Sequence, residues 1–402
     1  MKITDVPVVE CENSYPEVDH PMVSGTSISM VDSSEKERET HLEQLANQIP
    51  GFHLDRKPDR LSGGLLNYVW RLTGSHDSKP ESLIAKWAPP FIASAPENPL
   101  DPDRILIETK AMAAFSPGGA LSFLASDQIR LPQLIHLDPK QRILFMEDVC
   151  QCPDLEHWIR QPHPQADSML IGNRLGSFIG QLHKYTAHHP ELAVEFANHQ
   201  IQQTRLNVLY KNVIQYARQA HLPDEVEMGR IAVAYGELLQ QPGKSLIMGD
   251  LWLPSVIISG MNLRIIDWEL AHYGRPSQDV GHLVAHLWMH IHRAQTASAA
   301  GNAQAILHSF LKAYRETLGD DFSNLFGQEG VRESAVHFGS EVLARTVGIF
   351  QDGYLYQGLR WDDPIIQEAV QFAARHILGP LELSTFDDLD WRNDKRTDKD
   401  EN

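Results

Sequence analysis

Two carboxylates frame the segment "LIMGDLWLPSVIISGMNLRIIDWELAHYG", Leu246 to Gly274. Between them Val256, Ile257 and Ile258 form a β-branched apolar run, Ser259, Gly260, Met261 and Asn262 supply a turn, and Leu263 to Ile266 form a second apolar run. The pattern predicts a tight β-hairpin, and a hairpin returns its ends to one place. Asp250 and Asp267 are therefore expected to face a common pocket. Like charges held together raise each other's pKa unless something cationic lies between them. The pair reads either as two solvated loop acids or as a metal site. Glu269, on the same side as Asp267 in an extended segment, either joins that site or is solvated. Asp279 in "PSQDVGHL" opens the next helix and is expected to cap it or to brace the loop before it.

Upstream elements offer groups for such acids to work with. "SLIAKW" sets Lys86 inside an apolar strand, and on a buried face its ammonium needs a partner. The helix "RILIETKAM" offers Glu108, with Arg104 one turn earlier as a competing partner for the glutamate. "LSGGLLNYVWRL" places Ser62, Gly63 and Gly64 at a strand-to-strand turn. Glycines there let backbone amides approach phosphate oxygens, or simply make the turn. "ILFMEDV" ends a strand and runs into a loop.

Composition limits the partners. A chain of 402 residues with 42% hydrophobic content holds one large core or two medium ones. A formal charge of −18 argues against nucleic acid and weakly favours a cationic small molecule. Cys11, Cys150 and Cys152 form no disulfide framework, and Cys150-Gln-Cys152 is too short for the usual zinc pair. The N-terminus lacks the pattern of a signal peptide, and no run is long enough to span a bilayer. A reduced, cytoplasmic protein, monomeric or homodimeric, is expected. The histidines look scattered and give no metal motif.

Along the chain, residues 1–38 read as a polar tail, and "SSEKERETHLEQLANQI" (Ser33 to Ile49) as a helix opened by serine caps. Strands are expected at "LLNYVWRLTG", "SLIAKWA" and "RILFMEDV", a proline-rich loop at "PPFIASAPENPLDPD" and a helix at "RILIETKAMAAFS". Residues 39–150 thus form a small sheet with one helix. Residues 151–385 are mainly helical, with helices around 168–187, 225–240, 279–317, 330–350 and 365–378 and the hairpin embedded among them. Residues 386–402 are a charged tail. The fold class is α+β: a β-rich N-lobe and a larger helical C-lobe, the bilobal build of kinase-like phosphotransferases.

Phosphoryl transfer from ATP needs a phosphate cover, a lysine, a metal held by carboxylates and a group to orient the acceptor hydroxyl. Each has a candidate here, in order. Ser62, Gly63, Gly64 and Asn67 belong to the loop over the nucleotide. Lys86 would be clamped by Glu108. Met146, Glu147 and Val149 would meet the adenine edge. Asp250 would hold the acceptor hydroxyl. Ser255, five residues on, and Asp267, after the second strand, would hold the metal together with Glu269. Hard oxygen ligands suit Mg²⁺.

Over residues 40 to 380 or so, the chain resembles the aminoglycoside phosphotransferase and choline kinase-like superfamily. The resemblance rests on "RLSGGLLNYVWRL", "LIMGDLWLPSVII" and "IIDWELAHYGRPSQDVG". These motifs are most similar to those of methylthioribose kinase and the fungal 4-hydroxytryptamine kinase. The resemblance implies that Asp250 is the catalytic base, that Asp267 and Ser255 bind Mg²⁺ and that Lys86 binds ATP phosphates. "EVLARTVGIF" resembles a segment carrying a pair of substrate-binding arginines, of which only Arg345 is present, with Ala344 in the other place. Trp252 and Arg345 are the candidate acceptor contacts. Met248 stands where many relatives have histidine, and Pro254 where glycine is usual; proline removes an amide and fixes φ in a tight loop.

The expected function is therefore an ATP- and Mg²⁺-dependent kinase for a hydroxyl of a small metabolite. The alternative is a catalytically inactive relative that binds nucleotide or protein, supported by Met248 and Pro254. A protein kinase fits poorly: there is no "HRD", "DFG" or "APE", and the chain after Asp267 is expected to run straight into a helix.

Overall fold

The computed structural model describes residues 39–62, 64–380 and 385–390. The tail expected over residues 1–38, Gly63 of the glycine loop and residues 391–402 of the charged tail lie outside the described residues. The helix expected from Ser33 is helical over 39–46 (α1), and its serine caps lie outside the described residues.

A five-stranded antiparallel sheet carries the N-terminal region, in the order β1-β2-β3-β8-β7. Its strands are β1 (Asp59–Leu61), β2 (Tyr68–Thr73), β3 (Ser82–Trp87), β7 (Leu134–Asp138) and β8 (Ile143–Glu147). Alternation decides what each face does. Tyr68, Trp70 and Leu72 of β2, Leu83, Ala85 and Trp87 of β3, and Ile143 and Phe145 of β8 pack outward under Leu42, Leu45 and Ala46 of α1. The intervening residues, Ile84 and Lys86 of β3 and Leu144 and Met146 of β8, face the other way, toward the main core. A helix, α2 (Arg104–Phe115), lies against that inner face with Ile105, Ile107, Ala111, Met112 and Phe115 buried. Lys86 thus faces inward because of its parity in β3, and burial makes an ion partner obligatory.

Two expectations need correction here. "PPFIASAPENPLDPD" is not simply a loop: β4 (Phe91–Ile92) and β5 (Ala95–Pro99) pair as a short hairpin, a two-stranded edge where prolines cost few ladder bonds. Its turn has a use, since Ala93 and Ser94 donate backbone N–H to the carbonyls of Leu66 and Leu65 in the glycine loop. Cys150 and Cys152, expected to be unpaired, form a disulfide. The bend after β8 brings their Cα atoms to 5.2 Å, inside disulfide range.

The helical part holds α3 (Leu155–Ile159), α4 (Gln165–Thr186), α5 (Leu192–Glu195), α6 (His199–Arg205), α7 (Val213–Gln219) and α8 (Glu225–Gly236). Beyond the hairpin come α9 (Pro276–His292), α10 (Ala297–Leu318), α11 (Phe322–Leu325), α12 (Gly327–Thr346) and α13 (Pro364–Leu378). The helix expected over 279–317 is broken in two, because Thr296 caps α10 by accepting from the Ala299 N–H at 3.1 Å. The long helices α4 and α10 lie against each other at glycine positions. A Cβ at Gly176 would run into the Phe310 carbonyl oxygen. Among the described residues no helix is long and apolar enough to cross a membrane.

The expected hairpin forms as β10 (Val256–Ser259) and β11 (Asn262–Ile265), with Gly260 at φ +63° in its turn. A further strand, β6 (Ile129–Arg130), pairs with β11 in parallel. The ends of the hairpin are drawn together by β9 (Ser245–Ile247), which pairs antiparallel with β12 (His272–Gly274). This strand β12 lies between Asp267 and α9, where the chain was expected to pass directly into helix.

Replacing Gly176 with leucine should overpack the α4–α10 contact and cost about 1–3 kcal/mol. Urea unfolding should show a lower midpoint with an unchanged slope, and an unchanged midpoint would mean that the contact has room to give.

Candidate active site

Lys86 lies at the centre of a buried ionic cluster. Its Nζ is 2.8 Å from Glu108 Oε2, 2.7 Å from Asp267 Oδ1 and 3.4 Å from Glu269 Oε1. Burial alone would strip the ammonium of its proton, but Asp267, Glu108 and Glu269 together hold its pKa well above the usual lysine value. Glu108 shows the converse: burial and the neighbouring Glu269 and Asp267 push its carboxyl up to about 7 against the pull of Lys86. The expected Lys86–Glu108 pair is present, and Asp267 joins it from the far end of the hairpin.

Arg104 does not compete for Glu108. It turns instead to Glu269 (Nε to Oε2, 3.1 Å) and uses its remaining donors on the Pro89, Asp101 and Leu66 carbonyls and on Asn67 Oδ1. All five N–H groups of the guanidinium are thereby engaged. Asn67 Nδ2 donates to both Glu269 oxygens at 2.6 and 2.7 Å. This corrects two expectations. Glu269 is neither solvated nor placed as a metal ligand, because Asn67 and Arg104 occupy its carboxylate. Asn67 is buried in the same network rather than presented to a nucleotide. Glu269 ties the glycine loop and α2 to the hairpin.

The glycine loop itself leaves Ser62 and Gly64 exposed between β1 and β2. On the opposite strand Met146 is buried, and Glu147 forms a two-pronged pair with Arg130 at 2.6 and 2.7 Å. Asp148 is anchored by Arg71 and Ser82, so the Glu147–Val149 connector is fixed where the chain leaves the sheet.

Asp267 sits in the left-handed region, φ 63° and ψ 57°. A non-glycine residue there carries strain that its surroundings must hold, here through its bond to Lys86. Its side chain is 37% exposed while Lys86 occupies Oδ1. With Glu108 ionised, the five groups sum to one excess negative charge (Lys86 and Arg104 against Glu108, Asp267 and Glu269). A hard oxygen on the accessible side of an anionic cluster fits a divalent cation that keeps part of its water shell. Ser255 is fully buried, and its hydroxyl donates to the Trp252 carbonyl at 2.8 Å.

Asp250 is reached through a loop built around Asp279. This carboxylate is fully buried and accepts from the N–H groups of Met248 and Gly249, each at 2.8 Å, with His183 Nε2 at 3.2 Å. Burial would raise its pKa, but His183 and the two amides hold it below the usual carboxylate range. Of the two roles expected for Asp279, bracing the loop is the one observed. Gly249 has φ +81°, and a Cβ there would collide with the Leu270 carbonyl oxygen. Pro254 causes no distortion: it falls in the first turn of a 3₁₀ helix, Leu253–Ser255, where its missing N–H and fixed φ are tolerated. Met248 is buried in the core.

Around Asp250 stand groups that the motifs do not mark. His282 Nε2 is 3.3 Å and Arg205 Nη1 3.7 Å from Asp250 Oδ1. Burial pushes the Asp250 carboxyl up, yet His282, Arg205 and Arg345 bring it below its ordinary value. Trp252 and Arg345 do come together. The guanidinium lies 5.0, 5.0 and 4.9 Å from the ring centroids of Trp252, Phe350 and Tyr354, and its Nε donates to Glu341 at 2.8 Å. His282, His286 and Glu341 were missed among the scattered histidines. The i, i+4 spacing of His282 and His286, and of Glu341 and Arg345, is the available signal, but two helices must pack before the pairs meet.

Arg104→Met leaves Glu269 and Asn67 without their shared donor, and should cost about 3–5 kcal/mol in urea unfolding; a loss under 1 kcal/mol would remove Arg104 from the structural centre. Burial also pushes His272 to about 4 and His286, His290 and His337 to about 3. The unfolded chain takes up these protons near pH 6.5, so their contribution to stability is complete above that pH and is lost as pH falls toward 3–4. Glu108 and Glu156, with raised values, oppose this, but as two groups against four. Thermal unfolding should give a lower midpoint at pH 5.5 than at pH 7.5, and a flat profile would contradict buried neutral histidines.

The model of the phosphotransferase enzyme family matches residues 59–316. The chain is 24% identical over 275 residues to 4-hydroxytryptamine kinase of Psilocybe cyanescens, covering 64% of this chain and 75% of that protein. It is 24% identical over 330 residues to methylthioribose kinase of Bacillus pumilus (strain SAFR-032), covering 72% and 78%. The fold is similar to a crystal structure assigned as an aminoglycoside phosphotransferase from Ralstonia eutropha JMP134, with TM-score 0.51 at 13% identity, covering 87% of this chain and 99% of that one. The lysine, the glycine turn and the two hairpin acids stand inside the matched span, and the chain belongs to the phosphotransferase enzyme family.

Proposed function

We propose that the protein is a kinase that transfers the γ-phosphate of ATP to a hydroxyl of a small metabolite in the cytoplasm, with lobes meeting near residue 150. The observation that carries this reading is the Lys86–Glu108–Asp267 cluster, which joins an inner-face strand lysine and an α2 glutamate to the hairpin that also ends in Asp250. Lys86 would bind phosphate oxygens and be steadied by Glu108. Ser62, Gly63 and Gly64 would cover the phosphates, and Met146, Glu147 and Val149 would meet the base.

Asp267 would hold a divalent cation such as Mg²⁺, with Ser255 joining once its hydroxyl turns from Trp252. The cation, when bound, neutralises charge on the phosphates. Asp250 would accept the proton of the attacking hydroxyl and orient it in line. A carboxylate kept ionised by His282, Arg205 and Arg345 is ready for that task at neutral pH. Trp252 and Arg345 would line the acceptor side. Catalysis then rests on positioning and electrostatics rather than on a covalent intermediate.

ADP release should be measured with ATP, Mg²⁺ and a panel of hydroxylated amines and sugars, 4-hydroxytryptamine and methylthioribose among them. Asp250→Asn should lower turnover by about 10²–10⁴-fold and leave the ATP–Mg²⁺ thermal shift intact. Asp267→Ala should abolish both. Wild-type protein that shows no thermal shift with millimolar ATP and Mg²⁺ would favour an inactive relative.

A further inference from the structure

Arg205 on α6 and His282 on α9 meet behind Asp250. Arginine carries only donors, so Arg205 Nη2, at 2.6 Å from His282 Nδ1, makes that nitrogen the acceptor and leaves the ring N–H on Nε2. Nε2 faces Asp250 Oδ1 at 3.3 Å. Arg205 also donates through Nη1 to the Gly249 carbonyl, the residue before Asp250. The arginine therefore grips the loop backbone with one nitrogen and sets the tautomer of His282 with the other.

His282 is nearly fully buried. Glu341 Oε2 lies 3.7 Å from its Nδ1. Glu341 is in turn held by Arg345 Nε at 2.8 Å and lies 3.3 Å from His286 Nε2, while His286 Nδ1 is 2.6 Å from the Tyr354 hydroxyl. The groups facing Asp250 are thus Arg205 from α6, His282 from α9 and Arg345 from α12, with Glu341 of α12 behind His282.

We propose that His282, with its tautomer set by Arg205, is a positioning residue for Asp250: its Nε2–H holds Oδ1 and leaves Oδ2 for the acceptor hydroxyl. The inference rests on the kinase reading above and adds the group that orients its base. A carboxylate tied only to its loop rotates about its last torsion, and a misplacement near 1 Å costs up to about 100-fold in rate. At 3.3 Å the ring N–H and the carboxylate are within reach but not aligned as a formed hydrogen bond, as is common before substrate tightens a site.

The same atoms invite a metal reading, since ligand atoms of His282, His286 and Glu341 lie within 4.8 Å of one another. Two arginines argue against it. Arg205 occupies the His282 Nδ1 lone pair, and Arg345 binds Glu341, so a cation would enter beside two fixed positive charges and displace one of them.

The test compares His282→Ala, His282→Phe and His282→Asn, using ADP release with whichever panel acceptor the wild type turns over. The alanine and phenylalanine variants should lose about 10–100-fold in kcat at an unchanged KM for ATP. Asparagine, which keeps an N–H donor, should recover most of the loss. The acid limb of kcat/KM should move to higher pH in the alanine variant, because Asp250 loses a group that favours its charged form. Equal activity in all three, or losses that asparagine does not relieve, would overturn the proposal.

If the wild type turns over none of the acceptors, the kinase reading fails separately. A double-mutant cycle in thermal unfolding between Asp250→Asn and His282→Ala then decides, with additive losses overturning the contact. One equivalent of zinc in the purified protein, lost in His286→Ala, would assign the cluster to a metal and overturn the proposal as well.

Discussion

Everything in the candidate site depends on one constraint: a lysine ammonium buried among three carboxylates. Sheet parity turns Lys86 away from water, and a bare ammonium there would be untenable. Glu108 and Asp267 meet it at hydrogen-bond distance, and Glu269 stands slightly farther off. These partners come from a strand, a helix and the hairpin, so satisfying one charge fixes the relation of three elements. Arg104 completes the arrangement by binding Glu269 while collecting the carbonyls of the glycine loop and its flank. The excess negative charge that the cluster carries with Glu108 ionised is the feature that a bound cation would relieve.

A second set of interactions keeps the Asp250 loop in shape. Asp279 takes two of its amides, Gly249 adopts a conformation that a side chain would prevent, and Arg205 holds the Gly249 carbonyl. The unusual residues of this loop fit that frame. Pro254 occupies a helical first turn where its ring is tolerated, and Met248 fills a core position while its backbone serves Asp279. Neither departure from the family pattern leaves a gap in the hydrogen bonding of the loop that the structure displays.

The side proposed for the acceptor is built differently. Arg345 is neutralised by Glu341 and enclosed by Trp252, Phe350 and Tyr354. A guanidinium so placed presents a flat, partly aromatic wall rather than a free positive charge. On the proposed reading, that wall would make the choice of acceptor a matter of shape and stacking as much as of charge.

The sequence alone was enough for the hairpin, because β-branched runs around a glycine turn leave little choice. It was also enough for the Lys86–Glu108 pairing and for the family, which the "GD" and "DWE" segments carry. It did not reveal the short β4–β5 hairpin, whose prolines read as a loop, or the break between α9 and α10, whose periodicity runs through the cap. Nor could it place Glu269 and Asn67, since both are polar residues whose roles are set by Arg104 reaching across from another element. The Arg205–His282–Asp250 contact and the enclosure of Arg345 were likewise decided only in three dimensions. Local pattern fixes which face of an element is buried; long side chains on separate helices find their partners only once those helices are packed, and no spacing along the chain records that distance.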